Sequence, residues 1–147
     1  MPTKKRLSWK ICLATTQEQV GRCCSVMREL RPHIRPIDFA ARVLRQQNEG
    51  YQLACLELDG TVRSVAGFRI LNLLFSGRTL YIDDLVTHDS DRSRGFGAAL
   101  FEWIVNYARE QGCDYLTLDS GVQRFAAHRF YLKHGMDITS HHFQLKL

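Results

Sequence analysis

Apolar residues change period several times along this chain, and each change marks an element. Residues 9–14, Trp-Lys-Ile-Cys-Leu-Ala, alternate as a first strand does, and Thr16 with Gln19 three places on forms a capping-box pattern. Val20, Cys23, Cys24, Met27 and Leu30 then follow i, i+3, i+4, i+7 spacing, which predicts one helix over residues 17–30, stopped at Arg31-Pro32. Two prolines stiffen the link over residues 31–37. Asp38 is placed to cap a second helix carrying Phe39, Ala40, Val43 and Leu44, with Gly50 as its stop.

Alternation returns over residues 51–58 and 62–73, joined by the hairpin signal Asp59-Gly60, with Gly67 a thin spot in the second run. Ser76-Gly77 turns the chain into a third run over residues 80–87. Helical spacing resumes from Phe96 through Leu100, Phe101, Ile104, Val105 and Ala108 to Gly112. A short strand over 115–119, a short helix over 125–134 and a last strand within 136–147, best at 142–147, complete the pattern. The expected order is β-α-α-β-β-β-α-β-α-β, an α/β (α+β) domain over 1–147 with a mixed, mostly antiparallel sheet and one β-α-β step.

Composition narrows the class. With 147 residues, 45% hydrophobic, the chain suits a single core, and no apolar run approaches the ~20 residues of a membrane span. A cytoplasmic protein is expected, with no membrane partner. The five cysteines lack C-x-x-C spacing and read as core thiols, and the six histidines offer no paired ligands on one helical face, so no metal is expected. A formal charge of +5 is compatible with a phosphorylated cofactor, nucleic acid or solubility alone. Basic and aromatic residues do not interleave, which argues against nucleic acid. The cluster Lys4-Lys5-Arg6 reads as a solvated tail.

Residues 80–100 concentrate the chemistry. Asp83 and Asp84 stand side by side in an apolar strand, where a carboxylate is costly without a partner or a purpose. On a regular strand they point to opposite faces, and only a bulge would turn both one way. Arg92-Ser-Arg-Gly-Phe-Gly97 then places Arg-x-x-Gly-x-Gly between strand and helix, where bare glycine backbone, free N–H groups and the helix dipole favour an anion such as a pyrophosphate. A third glycine is missing for a dinucleotide fingerprint, and Gly-Lys-Ser/Thr for a nucleotide-hydrolysing loop.

Two stretches together resemble the GNAT superfamily of acetyl-CoA-dependent N-acetyltransferases. Asp84-Leu-Val-Thr87 with Arg92-x-x-Gly95-x-Gly97 looks like its pyrophosphate motif, and Arg124-Phe-Ala-Ala-His-Arg-Phe-Tyr-Leu-Lys-His-Gly-Met136 looks like its later motif, with Arg124 where Asn is frequent and Met136 where Phe is. The resemblance implies a sheet of six to seven strands with a parallel splayed pair and about four helices. It also implies transfer of acetyl from acetyl-CoA to a primary amine by direct attack, with no metal. Leu85, Val86 and Thr87 would pair with the pantetheine arm. Arg92, Ser93, Arg94, Gly95, Phe96, Gly97 and Ala98 would hold the pyrophosphate, and Ser120, Arg124 and His128 would add contacts.

Asp83 or Asp84 would serve as base, since attack needs a neutral amine, and Tyr131 would return a proton to the thiolate. The acidic pair is similar to that of polyamine-type members. Arg31, His33 and Arg35, in the link that helps wall the acceptor site, would instead suit an amino-acid-like acceptor carrying an acidic group. Many members pair as homodimers. A catalytically silent CoA-binding module and an enzyme acting on a protein amine are the alternatives.

Overall fold

A computed structural model describes residues 8–147, and the Lys4–Arg6 cluster lies outside them. The chain divides into two compact units, the first ending at Thr117 and the second comprising Leu118–Leu147.

The first unit is built on β1 (Trp9–Leu13), β2 (Gln52–Leu58), β3 (Thr61–Leu73) and β4 (Gly77–Thr87), each antiparallel to the next. β5 (Tyr115–Leu118) completes a mixed sheet in the order β1-β2-β3-β4-β5. Asp59 (φ 52°) and Gly60 (φ 75°) turn β2 into β3 with both central residues left-handed, the geometry that matches the twist of a two-residue hairpin.

Helices cover both faces. α1 (Gln17–Arg22) and α2 (Cys24–Leu30) replace the single helix expected over 17–30. The capping box at Thr16 and Gln19 forms as predicted, but beside Gly21 the Cys23 N–H turns to the Val20 carbonyl at 3.0 Å, an i−3 bond that tightens and interrupts the helix. α3 (Pro36–Gln47) begins three residues earlier than the Asp38 cap implied, because Pro36 at the first helical position needs no donor and has the right φ. Asp38 instead sits in the first turn and pairs with Arg35 at 2.6 Å.

β2 is buried on both faces. Leu53 and Cys55 meet Val20, Val26, Met27 and Phe39 of α1–α3. On the reverse face Leu56 and Leu58 cluster with Phe96, the first residue of α4 (Phe96–Glu110), and Trp9 meets that ring edge-on at 5.5 Å. All five cysteines are free, and the paired Cys12 and Cys55 bring their sulfurs to 4.0 Å across β1 and β2.

In the second unit α5 (Phe125–Lys133) forms as predicted and is followed by left-handed Gly135. Residues 136–147 form no strand, so among the described residues the sheet has five strands rather than the six to seven expected. Phe143, Leu145 and Leu147 alternate with polar residues as a strand would, yet they are exposed; alternation marks strand potential, and a ladder also requires an edge to pair with.

Thr16→Ala should cost about 1 kcal/mol by removing the α1 cap, read as a shift in urea midpoint at constant slope.

Candidate active site

β4 pairs with β3 at Gly67↔Asp84 and then at Phe68↔Ile82, so Asp83 is an extra residue bulged out of the ladder. A bulge breaks the strict alternation of a strand. Both carboxylates consequently line one cavity of about 400 Å³ on the α2–α3 side of the sheet, a volume suited to a small molecule.

Each acid has its own cation. Arg69, on β3, grips Asp83 through Nε and Nη2, the closest contact being 2.7 Å. Arg31, at the C-cap of α2, donates to Asp84 Oδ1 at 2.8 Å and to the Asp83 backbone carbonyl at 3.0 Å. The Tyr51 hydroxyl donates to the other Asp84 oxygen at 2.8 Å. It can do so because residue 67 is glycine: a Cβ there would run into the Tyr51 hydroxyl. Burial, then the Asp84 charge, drives the Tyr51 hydroxyl far above the ordinary tyrosine value, so it stays a donor. Burial also raises Asp83 above the ordinary carboxylate value, outweighing the pull of Arg69.

Of the acceptor residues expected, Arg31 and His33 line this cavity, while Arg35 caps α3 and is taken up by Asp38. The sequence reading did not single out Tyr51, Arg69 or Arg42, the last also a lining residue on α3. Gly67 was the one signal available: a thin spot in a strand implies that something packs over it.

The glycine turn is organised around Asp91, which is only 2% exposed. It receives Arg63 Nη1 at 3.3 Å and Arg94 Nη1 at 2.8 Å, and Arg94 also lies over the Phe96 ring at 5.0 Å. Asp91 thus anchors the loop. Arg92 pairs with Asp89 at 3.2 Å on the surface. Arg94 is drawn inward by Asp91, while Arg92 keeps most of its N–H donors on the surface beside the backbone donors of the turn. Ser93 (φ 66°) and Gly95 (φ 86°) bend the chain through left-handed conformations, and no side chain caps α4, leaving the first-turn N–H groups of Phe96, Gly97 and Ala98 available to an anion. Nothing lies within 4 Å of where a Gly95 Cβ would stand, and a Cβ on Gly97 would come to 3.0 Å from Thr87 Oγ1.

Leu85, Val86 and Thr87 pair with Ala66, Val65 and Ser64 of β3 along one edge of β4. β5 has four residues against eleven in β4, and Asp114 N–H fastens it to the Arg78 carbonyl at 2.7 Å, near the start of β4. The strand therefore outruns its neighbour toward Thr87, and the outer-edge peptide groups there are not taken by β5.

In the second unit, Ser120 Oγ is buried with no hydrogen-bond partner. His128 Nε2 lies 2.8 Å from the Gly121 carbonyl. Arg124 stands at the N-cap of α5; burial raises the Tyr131 hydroxyl above its ordinary value while the Arg124 guanidinium pulls it down.

A family model for the acetyltransferase (GNAT) family matches residues 17–136. The chain belongs to the GNAT family. It is therefore an acyltransferase, as its named relatives support. An uncharacterised N-acetyltransferase of Bacillus subtilis, YhdJ, is 33% identical over 132 residues, covering 88% of this chain and 93% of that protein. An aminoalkylphosphonate N-acetyltransferase of Salmonella typhimurium is 31% identical over 99 residues, 66% of this chain and 62% of that protein. Among solved structures, the aminoglycoside N-acetyltransferase AAC(6')-Iy in complex with CoA shares the fold with a TM-score of 0.84 at 14% identity, over 99% of this chain and 98% of that one.

Gly67→Ala should destabilise this GNAT protein by about 1–3 kcal/mol through collision with Tyr51, and a Tyr51→Ala background should absorb most of that cost in a double-mutant cycle. Independent, additive effects would show that the two positions do not meet.

A carboxyl whose folded pKa lies above its unfolded value favours the fold when protonated, and loses that contribution as pH rises through the folded value. Asp83 should thus lower stability as pH climbs above the ordinary carboxylate range, and Asp83→Asn should flatten that slope in urea titrations across weakly acidic pH.

Proposed function

We propose that residues 1–147 act as one acetyltransferase domain that moves the acetyl group of acetyl-CoA to the primary amine of a small molecule. The family match runs across both compact units, which supports a single working domain. The observation that carries the acceptor half is the bulge that brings Asp83 and Asp84 into one cavity of small-molecule size.

The co-substrate supplies an activated thioester, and the chain supplies position and proton handling. Leu85, Val86 and Thr87 offer their outer-edge peptide groups to the pantetheine arm. The backbone from Arg92 to Ala98 holds the pyrophosphate, its bare donors and the open space at Gly95 fitting phosphate oxygens. Ser120, with an unmatched buried hydroxyl, is a further contact, as are Arg124 and His128.

Asp83 is the better base of the two acids. Asp84 divides its oxygens between Arg31 and Tyr51, whereas the Asp83 carboxylate is hydrogen-bonded by Arg69 among the described residues, and burial raises it above the ordinary carboxylate value, which makes it the stronger base. Tyr131, at the family position for the proton donor, gives its proton to the departing thiolate, and Arg124 stabilises the phenolate left behind. His33 in the cavity, beside an Arg31 already paired with Asp84, favours an acceptor that carries an acidic group beside its amine. The aminoalkylphosphonate N-acetyltransferase among the relatives supports that class.

Release of free CoA thiol from acetyl-CoA in the presence of a panel of amines tests the reading. Turnover with small primary amines is expected, and its absence across the panel would overturn it. Tyr131→Phe should lower kcat by about 10²–10⁴-fold with CoA affinity retained, and undiminished turnover would remove Tyr131 from the mechanism. Asp83→Asn should lower kcat more than Asp84→Asn does.

A further inference from the structure

The acids of the cavity are already answered by the protein itself. Asp83 is held by Arg69, and Asp84 by Arg31 and the Tyr51 hydroxyl. An ion-paired carboxylate presents a much weaker field to a ligand than a free one. Arg42 and His33 belong to the same lining, and among the described residues neither has an ion pair or a side-chain hydrogen bond. The uncommitted formal charge of the cavity is therefore positive.

Arg42 is placed for this by its helix. On α3, Phe39 and Val43 are buried in the core against the sheet, and Arg42, between them in sequence, stays exposed while still reaching the cavity wall. An exposed guanidinium carries little desolvation cost while it waits, and its planar fork matches a carboxylate or phosphonate in two parallel hydrogen bonds. A diamine would bring a second cation to a wall whose free charge is already positive. An amine bearing an acid brings the matching one.

We propose that Arg42, aided by His33, is the residue that selects the acceptor: it binds the anionic group, carboxylate or phosphonate, of an amine whose nitrogen lies at Asp83, and it excludes polyamines. The amine end of this inference rests on the acetyl-transfer reading above; the anion end does not.

Two measurements separate them. In the first, kcat/KM is compared for three primary amines of equal chain length ending in a carboxylate, a phosphonate or a second ammonium group. The native protein should prefer the acidic amines. Arg42→Gln should lower that preference about 10- to 100-fold, chiefly through KM, as expected for loss of a charge-assisted hydrogen bond. Arg45→Gln, on an exposed α3 residue outside the lining, should keep it. In the second, binding of a short alkyl carboxylate and a short alkyl phosphonate, neither with an amine, is followed by calorimetry on the native protein and Arg42→Gln. Anion binding that weakens at least about tenfold in the variant supports the site whichever anion binds better. Equal binding by the two proteins, or a native preference for the diamine, overturns it. If no amine is acetylated, the transfer reading fails while the calorimetry still decides this one.

Discussion

One extra residue in β4 governs the cavity on the α2–α3 side of this protein's sheet. By bulging at Asp83, the strand breaks its alternation and sends two neighbouring carboxylates to the same face. That face is tenable only because every acid there finds a cation or a hydroxyl. Arg69 arrives from the neighbouring strand, Arg31 from the end of α2, and Tyr51 from the entry to β2, lying over a residue with no side chain. The carboxylates, the glycine opposite and the three donors form one unit. Removing a single partner would leave a half-buried charge unmatched, which costs far more than the pair contributes.

The glycine turn is held by a different device. Asp91, almost fully buried, draws in one arginine from β3 and one from the turn itself, and so fixes a loop whose useful groups are backbone N–H. Of the arginines that make the stretch look anion-binding, Arg94 is engaged in shaping it, while Arg92 stays on the surface. The donors of Phe96, Gly97 and Ala98 at an uncapped helix start join it there.

Much of this was legible from residue order. Capping box, hairpin, glycine stops and the three-strand meander of β2, β3 and β4 follow from local rules, and they formed. The failures have physical causes. The break at Cys23 depends on one i−3 hydrogen bond that no apolar period reports, and the last strand has the right alternation without a paired edge. Arg69, Tyr51 and Arg42 stand 14, 32 and 41 residues from Asp83, so only the fold brings them near it. The bulge had been named as the condition for both acids to face one site. Nothing in the strand's composition said whether it would form, because a bulge is decided by the register of two strands.

The two halves of the site are written in different media. The turn is specified by backbone torsions at Ser93 and Gly95 and by the closeness of Gly97 to Thr87, whereas the cavity beside Asp83 and Asp84 is specified by side-chain charges contributed from the end of α2, from α3 and from β3. Torsional requirements admit few replacements, but a charge on a helix surface can be exchanged in one substitution without disturbing the strand beneath it. Descendants of a common ancestor can thus keep the same turn while diverging in what they modify, and a laboratory redesign of acceptor range has its freest positions on α3, provided the ion pairs of Asp83 and Asp84 are changed as pairs or left alone.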